Sequence, residues 1–218
     1  AAIELGGYDV SAALLSKLLE PAEALGLATL ISDVHQNLGL ALARLGRFDE
    51  AIAHESLALT GYTSRGQPRE AAVSRSYFAQ ILALSGQWVA AEHEARAAID
   101  SLSAASPRRA YALAVLAEIV LHEGRADDAH AAALEASGIL EVLGGLDEGE
   151  ALVRLSYAKA LYAVGRFDAA RDAILAARSR LEERASKISD PSWQRSFVEL
   201  VGENVQTLQL AQVWASAW

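Results

Sequence analysis

The chain has 218 residues, a formal net charge of −9 and no cysteine. Such a length holds one sizeable domain or a short solenoid. The acidity argues against a footprint along duplex phosphates, and the missing thiols exclude disulfides and thiolate metal centres.

Hydrophobic residues make up 52% of the chain but aromatics only 6%, an alanine-rich balance that suits close-packed helices better than a sheet. No apolar run approaches a membrane span, and the first residues lack the basic-then-apolar order of a signal peptide. A soluble, cytoplasmic, helical protein is the expectation.

In chain order, Ala1–Leu5 is all that remains of a first helix, and a helix over about 8–25 follows, stopping near Gly26. A pair spans roughly 28–45 and 48–60. The polar stretch TGYTSRGQPRE (60–70) reads as a connection, with Pro68 where a first helical turn accepts it. The next pair spans about 68–85 and 88–103. Ser106 then caps, and Pro107 starts, a pair at about 107–123 and 126–142. After Gly144–Gly145, Asp147 with Glu150 reads as a capping box for a last pair at 147–164 and 167–188. Asp190–Pro191 open a helix with Trp193, Phe197, Leu200 and Val201 on one face. Beyond Gly202, Val205, Leu208 and Val213 continue on another. This tail reads as a cap over the last repeat.

The chain repeats itself. LGRFDEA (45–51) returns as SGQWVAA (85–91), EGRADDA (123–129) and VGRFDAA (164–170), with a blurred LGGYDVS at 5–11. The glycines Gly6, Gly46, Gly86, Gly124 and Gly165 stand 40, 40, 38 and 41 residues apart, a period that calls for a solenoid. Seven before each of the last four stands Gly39, Ala79, Ala117 or Ala158; four before, Leu42, Leu82, Val120 or Leu161. Five after stands Ala51, Ala91, Ala129 or Ala170; twelve after, Ala58, Ala98, Ala136 or Ala177.

Residues seven and four before the glycine share a helix face. The small one admits a second, antiparallel helix, and the aliphatic one fills the space beside it. The glycine ends the first helix in a conformation a Cβ disfavours. The aromatic two places on (Tyr8, Phe48, Trp88, Phe167) plugs the turn, although Ala126 replaces it once.

His35, Leu38–Gly39, Leu42, Ala51 and Ala58 together resemble the tetratricopeptide repeat, and the resemblance covers almost the whole chain. It implies an all-α, right-handed α-solenoid of antiparallel helix pairs. The array runs over 1–189 as a half repeat 1–26 and full repeats of about 27–66, 67–105, 106–144 and 145–189, with capping helices over 190–218. The period exceeds the family norm near 34, and longer helices with wider loops account for the excess. Repeats this long resemble those of large bacterial regulators and those C-terminal to Ser/Thr kinase or signalling ATPase modules. The half repeat implies that the chain continues upstream or that another chain covers that edge.

No catalytic constellation emerges, and neither cofactor nor metal is expected. The pairs His54–Glu55, His93–Glu94 and His122–Glu123 lack the second histidine of a helical zinc face and read as solvated. His35 reads as a satisfied interior imidazole, and His130 stands alone among alanines. No phosphate-binding glycine loop or nucleophile elbow is present.

The remaining candidate is the concave face formed by first helices. Its outward positions are Gln36, Leu40 and Arg44; Ser76, Gln80 and Ala83; Tyr111, Ala114, Glu118 and His122; and Leu155, Lys159 and Tyr162. These would hold a peptide or partner helix, anchored by Tyr111, Leu155 and Tyr162 and oriented by Arg44, Glu118 and Lys159. The lysine and asparagine clamp for chaperone tails is absent, Gln36, Leu40, Ser76 and Gln80 standing in its place. The expected function is a non-catalytic scaffold, the partner-recruiting part of a bacterial signalling protein, binding neither nucleic acid nor membrane. The alternatives are self-association through the N-terminal edge or the tail bearing Trp214 and Trp218, and a small-molecule-sensing repeat domain of a transcriptional regulator.

Overall fold

A computed structural model describes residues 2–216; Trp218 lies outside them. After a 3-10 turn at Ile3–Leu5 come α1 (Tyr8–Ala24), α2 (Ala28–Arg44), α3 (Phe48–Ser64), α4 (Pro68–Leu84) and α5 (Trp88–Ser101). Then follow α6 (Pro107–His122), α7 (Ala126–Leu143), α8 (Glu150–Ala163), α9 (Phe167–Ser186), α10 (Pro191–Glu199) and α11 (Gly202–Ser216). Among the described residues there is no strand, and no helix is long and apolar enough to cross a membrane. The chain divides into two compact units, Ala1–Ile3 with Gly7–Ser103, and Glu4–Gly6 with Ala104–Trp218.

Within each unit consecutive helices pack as hairpins, and first helices also meet the next first helix, α2 against α4 and α6 against α8. This is the all-α, solenoid-type arrangement that the repeat demands. The turns explain it. Gly46 has φ of 76°, in the left-handed region, which lets the N–H of Arg47 reach back to the carbonyl of Leu42 at 2.9 Å. The same bond joins Gln87 to Leu82, Arg125 to Val120 and Arg166 to Leu161. The aliphatic residue four before each glycine therefore does two things. Its side chain fills the core and its carbonyl closes the turn.

A second set of glycines keeps the same geometry. Gly26 and Gly66 also have positive φ, and the residues after them donate to Ala22 and Tyr62. Helices α1, α2, α3 and α4 are each 17 residues long, and three-residue turns separate them. The long period thus comes from helix length alone. The expected wider loops are absent from this unit. Residues 60–64, read as connection, are the last turn of α3. Two of its hydroxyls bond locally, Thr63 donating to the Leu59 carbonyl (2.8 Å) and Ser64 to that of Gly61 (3.1 Å). Tyr62 is buried and donates to Asp33 at 2.6 Å.

The small residues carry the packing. Ala51, Ala91, Ala129, Ala170, Ala58, Ala98, Ala136 and Ala177 are all buried, as are Ala79, Ala117 and Ala158 opposite them. Extra methylenes forced into such contacts cost about 1–3 kcal/mol each. Gly39 is the smallest member of its set, and a Cβ there would lie 3.1 Å from the Ala51 carbonyl. The aromatic position is less uniform than expected. Tyr8 is buried, Phe48 and Trp88 are half-buried, and Phe167 is exposed, so the ring covers its turn from outside instead of plugging it.

Two caps form as read. The Ser106 hydroxyl accepts from the N–H groups of Arg108 and Arg109, and the Asp190 carboxylate from those of Ser192 and Trp193. The Asp147–Glu150 capping box does not form. Helix α8 begins only at Glu150, whose carboxylate is held by arginines and accepts from the Leu146 N–H at 3.4 Å.

The tail covers the second unit as a cap, with α11 against both α8 and α9. Its buried stripe is Val201, Asn204, Thr207, Ala211 and Trp214, not Val205, Leu208 and Val213; Val213 and Leu200 are exposed. Polar residues can occupy the stripe because Asn204 donates to the Phe197 carbonyl (2.8 Å) and Thr207 to that of Glu203 (2.7 Å).

Candidate interaction surface and polar cleft

In the first unit, Gln36, Leu40, Arg44 and Gln80 remain half-buried on α2 and α4. Ser76 on α4 does not reach the surface, and nor does Ala114 on α6; both are fully buried, enclosed in the helix packing. The Ser76 hydroxyl bonds back to the Ala72 carbonyl at 3.2 Å. In the second unit α6 and α8 bring Tyr111, Glu118 and Lys159 to half-buried positions and leave His122 and Tyr162 exposed. Lys159 donates to Glu118 across the two helices.

Leu155 belongs to the core instead, with Leu161, Ile174, Ala211 and Trp214 around it. Helix α11 covers that part of α8, which repeat periodicity alone does not reveal. Tyr162 stacks on Trp214 with ring centroids 4.7 Å apart and meets the Phe167 ring edge-on at 5.0 Å. It is therefore a support of the cap as well as a surface residue. Tyr111 lies so near Gly149 that a Cβ there would come within 2.5 Å of its ring.

The histidine–glutamate pairs are not uniformly solvated. His54 is half-buried, its Nδ1 2.7 Å from Nδ1 of His35. Glu55 is fully buried; the Ser74 hydroxyl donates to it at 2.5 Å, and its other oxygen has no partner. Burial pushes its carboxyl well above the usual range, with the Ser74 bond opposing. Glu94 pairs with Arg75 from the neighbouring helix. Only a charged residue's position in the alanine register could have exposed Glu55, because its type reads as surface. Among the described residues no group of three or more His, Asp or Glu side chains is placed to hold a metal ion.

The second unit also contains a cleft of about 30 Å³, lined by Glu150, Arg154, Arg180, Arg184, Phe197 and Asn204 among others. Its floor is Glu150, 1% exposed. Arg154 donates to it at 2.8 Å, Arg180 at 2.9 and 3.3 Å, and Arg184 stands 3.7 Å away. Burial alone would raise this carboxyl, but the bonds from Arg180 and Arg154 outweigh it and hold the pKa below the usual range. The same contacts raise Arg180. Glu150 is therefore a fixed anion that ties α8 to α9. Sequence reading missed it because it appeared to be a helix-start residue.

No family model matches the chain, and no curated protein matches it. Among solved structures, that of BtubC (BKLC) from P. vanneervenii is similar over 97% of this chain and 92% of that one, with a TM-score of 0.69 and 17% sequence identity. A likeness at that identity bears on architecture alone: this chain shares an all-α, helical-repeat fold.

Proposed function

We propose that the chain is a tetratricopeptide-type, non-catalytic interaction module that holds a peptide or partner helix on the accessible face of its first helices. It serves as the partner-recruiting part of a bacterial signalling protein. The observation that supports this reading is the composition of the α6–α8 face. Tyr111, Glu118, His122, Lys159 and Tyr162 stay accessible there while the residues between them are buried. A surface mixing aromatic rings with both signs of charge suits extended peptides.

The test exploits the Glu118–Lys159 pair. Glu118→Lys with Lys159→Glu keeps an ion pair but inverts the local field. Peptides selected from a random library on the parent protein are expected to bind the swapped variant at least about tenfold more weakly, with the thermal midpoint unchanged. Equal affinity would refute the assignment of this face.

Self-association is a second reading, and one surface favours it. Val10, Leu14, Leu18 and Leu25 on and just after α1 are between 40% and 72% exposed, along a single stripe at helical spacing. Leu14→Glu with Leu18→Glu is expected to remove any concentration dependence of the sedimentation mass. A parent protein that stays monomeric at every concentration refutes this reading.

A further inference from the structure

Helix α7 packs between α6 and α8 through a face that carries the buried Ala129, Ala133, Ala136 and Leu140. Its opposite face is apolar as well, and nothing in the chain covers it. Ala131, Leu134, Gly138 and Val142 are exposed there, Leu134 by 49% and Val142 by 82%. At helical spacing these four fall within about 80° of one another, a single stripe down the helix.

The other second helices do not share this stripe. At the same distance from the turn glycine, Ser64 and Glu183 stand in place of Val142, and Thr60, Asp100 and Ser179 in place of Gly138. Those are the side chains of a solvated face. Gly138 adds a second sign. It lies inside a helix, where glycine is less favourable than alanine. Its φ is not positive, and a Cβ built on it meets nothing within 4 Å. Neither turn geometry nor packing within the chain calls for glycine here. Its missing Cβ leaves a shallow notch with Leu134 and Val142 one turn to either side, open to a bulky side chain from outside.

The surrounding charge selects the occupant. Asp128 and Glu135 border the stripe on one side and Glu141 on the other, with Asp127 at its head. Arg125 pairs with Asp128 and Arg109 with Glu135. Asp127 and Glu141 have no ion partner among the described residues. Two copies of such a face would set carboxylate against carboxylate, which opposes pairing. An anionic lipid surface is repelled for the same reason. A helix with cations beside its apolar positions meets both features at once.

We propose that the outer face of α7 docks a basic amphipathic helix of a partner protein. A large apolar side chain seats over Gly138 between Leu134 and Val142, and lysines or arginines meet Asp127 and Glu141. The 18 residues of α7 span about 27 Å, so the contact is smaller than a standard interface and reversible. It is a different surface from the α6–α8 peptide face and does not rest on it.

The experiment is titration of the full chain, by fluorescence anisotropy, with a labelled helical peptide of about three heptads bearing leucine at a and d and lysine at e and g. A companion peptide bears glutamate at e and g. The lysine peptide is expected to bind with Kd below about 100 μM, and the glutamate peptide at least about tenfold more weakly. Leu134→Gln with Val142→Gln is expected to weaken the lysine peptide at least about tenfold and to leave the circular dichroism unchanged. Gly138→Ala separates docking from folding. Its thermal midpoint is expected to rise, since alanine is the better helix former, while the filled notch weakens the peptide at least about threefold.

A lysine peptide that fails to bind overturns the site, as does binding that survives both sets of substitutions. Equal affinity for the two peptides overturns the basic occupant. A parent dimer that the Leu134→Gln, Val142→Gln variant cannot form overturns it too and gives the face to a second copy. Binding lost in the Glu118/Lys159 swap would seat the peptide on the α6–α8 face instead; binding kept there supports the separate site.

Discussion

Placing alanine at both Gly39 and Glu55 is expected to stabilise the protein by about 1–3 kcal/mol at neutral pH and to flatten its stability in mild acid. The positions seven before and nine after the turn glycine are buried and apolar in the later repeats. They are Ala79 and Ala95, Ala117 and Ala133, and Ala158 and Ile174. In the first full repeat they are Gly39 and Glu55, and the carboxylate occupies the space the missing methyl leaves. A Cβ on Gly39 would lie 3.2 Å from Glu55 Oε2.

The two substitutions are coupled. Gly39→Ala alone crowds both the Ala51 carbonyl (3.1 Å from the added Cβ) and the carboxylate (3.2 Å) and is expected to destabilise. In the double variant only the carbonyl contact remains, to be relieved by a shift of a few tenths of an ångström. Glu55→Ala alone leaves a void beside Gly39. In the double variant Ser74 loses its acceptor, but a helical serine can turn to a carbonyl of its own helix. The pH argument follows from the raised pKa of Glu55. A neutral carboxyl is what the core tolerates, so its contribution is intact below the unfolded value of 4.5 and is lost as pH rises towards the folded value. Urea unfolding at a series of pH values is the measurement. A double variant no more stable than the parent at pH 7 would show that Glu55 costs the fold nothing.

Acidification is expected to loosen the α2–α3 hairpin by about 1–2 kcal/mol, and the cause is the His35–His54 contact. The two Nδ1 atoms are 2.7 Å apart, and the rings are tilted by 31°. An N–H···N bond needs one bare nitrogen, so a second proton destroys it. Burial lowers both pKa values. For His35 the neighbouring His54 adds to this and Glu23 from α1 opposes it; for His54, Glu50 opposes and Arg47 adds. A lowered folded pKa means that the contribution is complete above the ordinary imidazole value of 6.5 and is lost as pH falls through the folded values.

The next repeat provides the control. Eleven before and eight after the turn glycine it carries Arg75 and Glu94, an ion pair with no imidazole in it. Transplanting it as His35→Arg with His54→Glu is expected to remove the acid-induced rise in amide exchange across α2 and α3. An unchanged pH profile in that variant would place the acid sensitivity elsewhere.

These two expectations share an origin with what the sequence did and did not reveal. The alanine ladder was legible because burial at a fixed period leaves a compositional trace, and residues such as Ala51, Ala91, Ala129 and Ala170 have no other reason to recur. The glycine turns were legible where the glycine recurs at the repeat period. Gly26 was read as the stop of its helix, but Gly66 escaped because its neighbours, TGYTSRG, look like loop.

Glu55 and His54 were misread because residue type outweighed register. Their partners stand nineteen positions away on neighbouring helices, and only packing shows that Ser74 and His35 wait there. The stripe of α11 was missed because Asn204 and Thr207 hide their polarity in short backbone bonds. Leu155 looked accessible because nothing in its own repeat announces the helix that covers it. For the same reason the cleft was invisible. It depends on Arg180 and Arg184 of α9 converging with Asn204 of α11 on a residue that read as a cap.

The equal 17-residue helices and three-residue turns of the first unit give that part of the chain a strict metre. Gain or loss of one residue within a helix would rotate everything after it by about 100°, turning alanines outward and charges inward. Gain of a block that begins and ends on the same beat would rotate nothing. Residues 28–67 form such a block, so copying them in tandem lengthens the array by a whole hairpin with every seam already cut to fit. Length is therefore something this half of the molecule can change by duplication, and almost never by smaller steps.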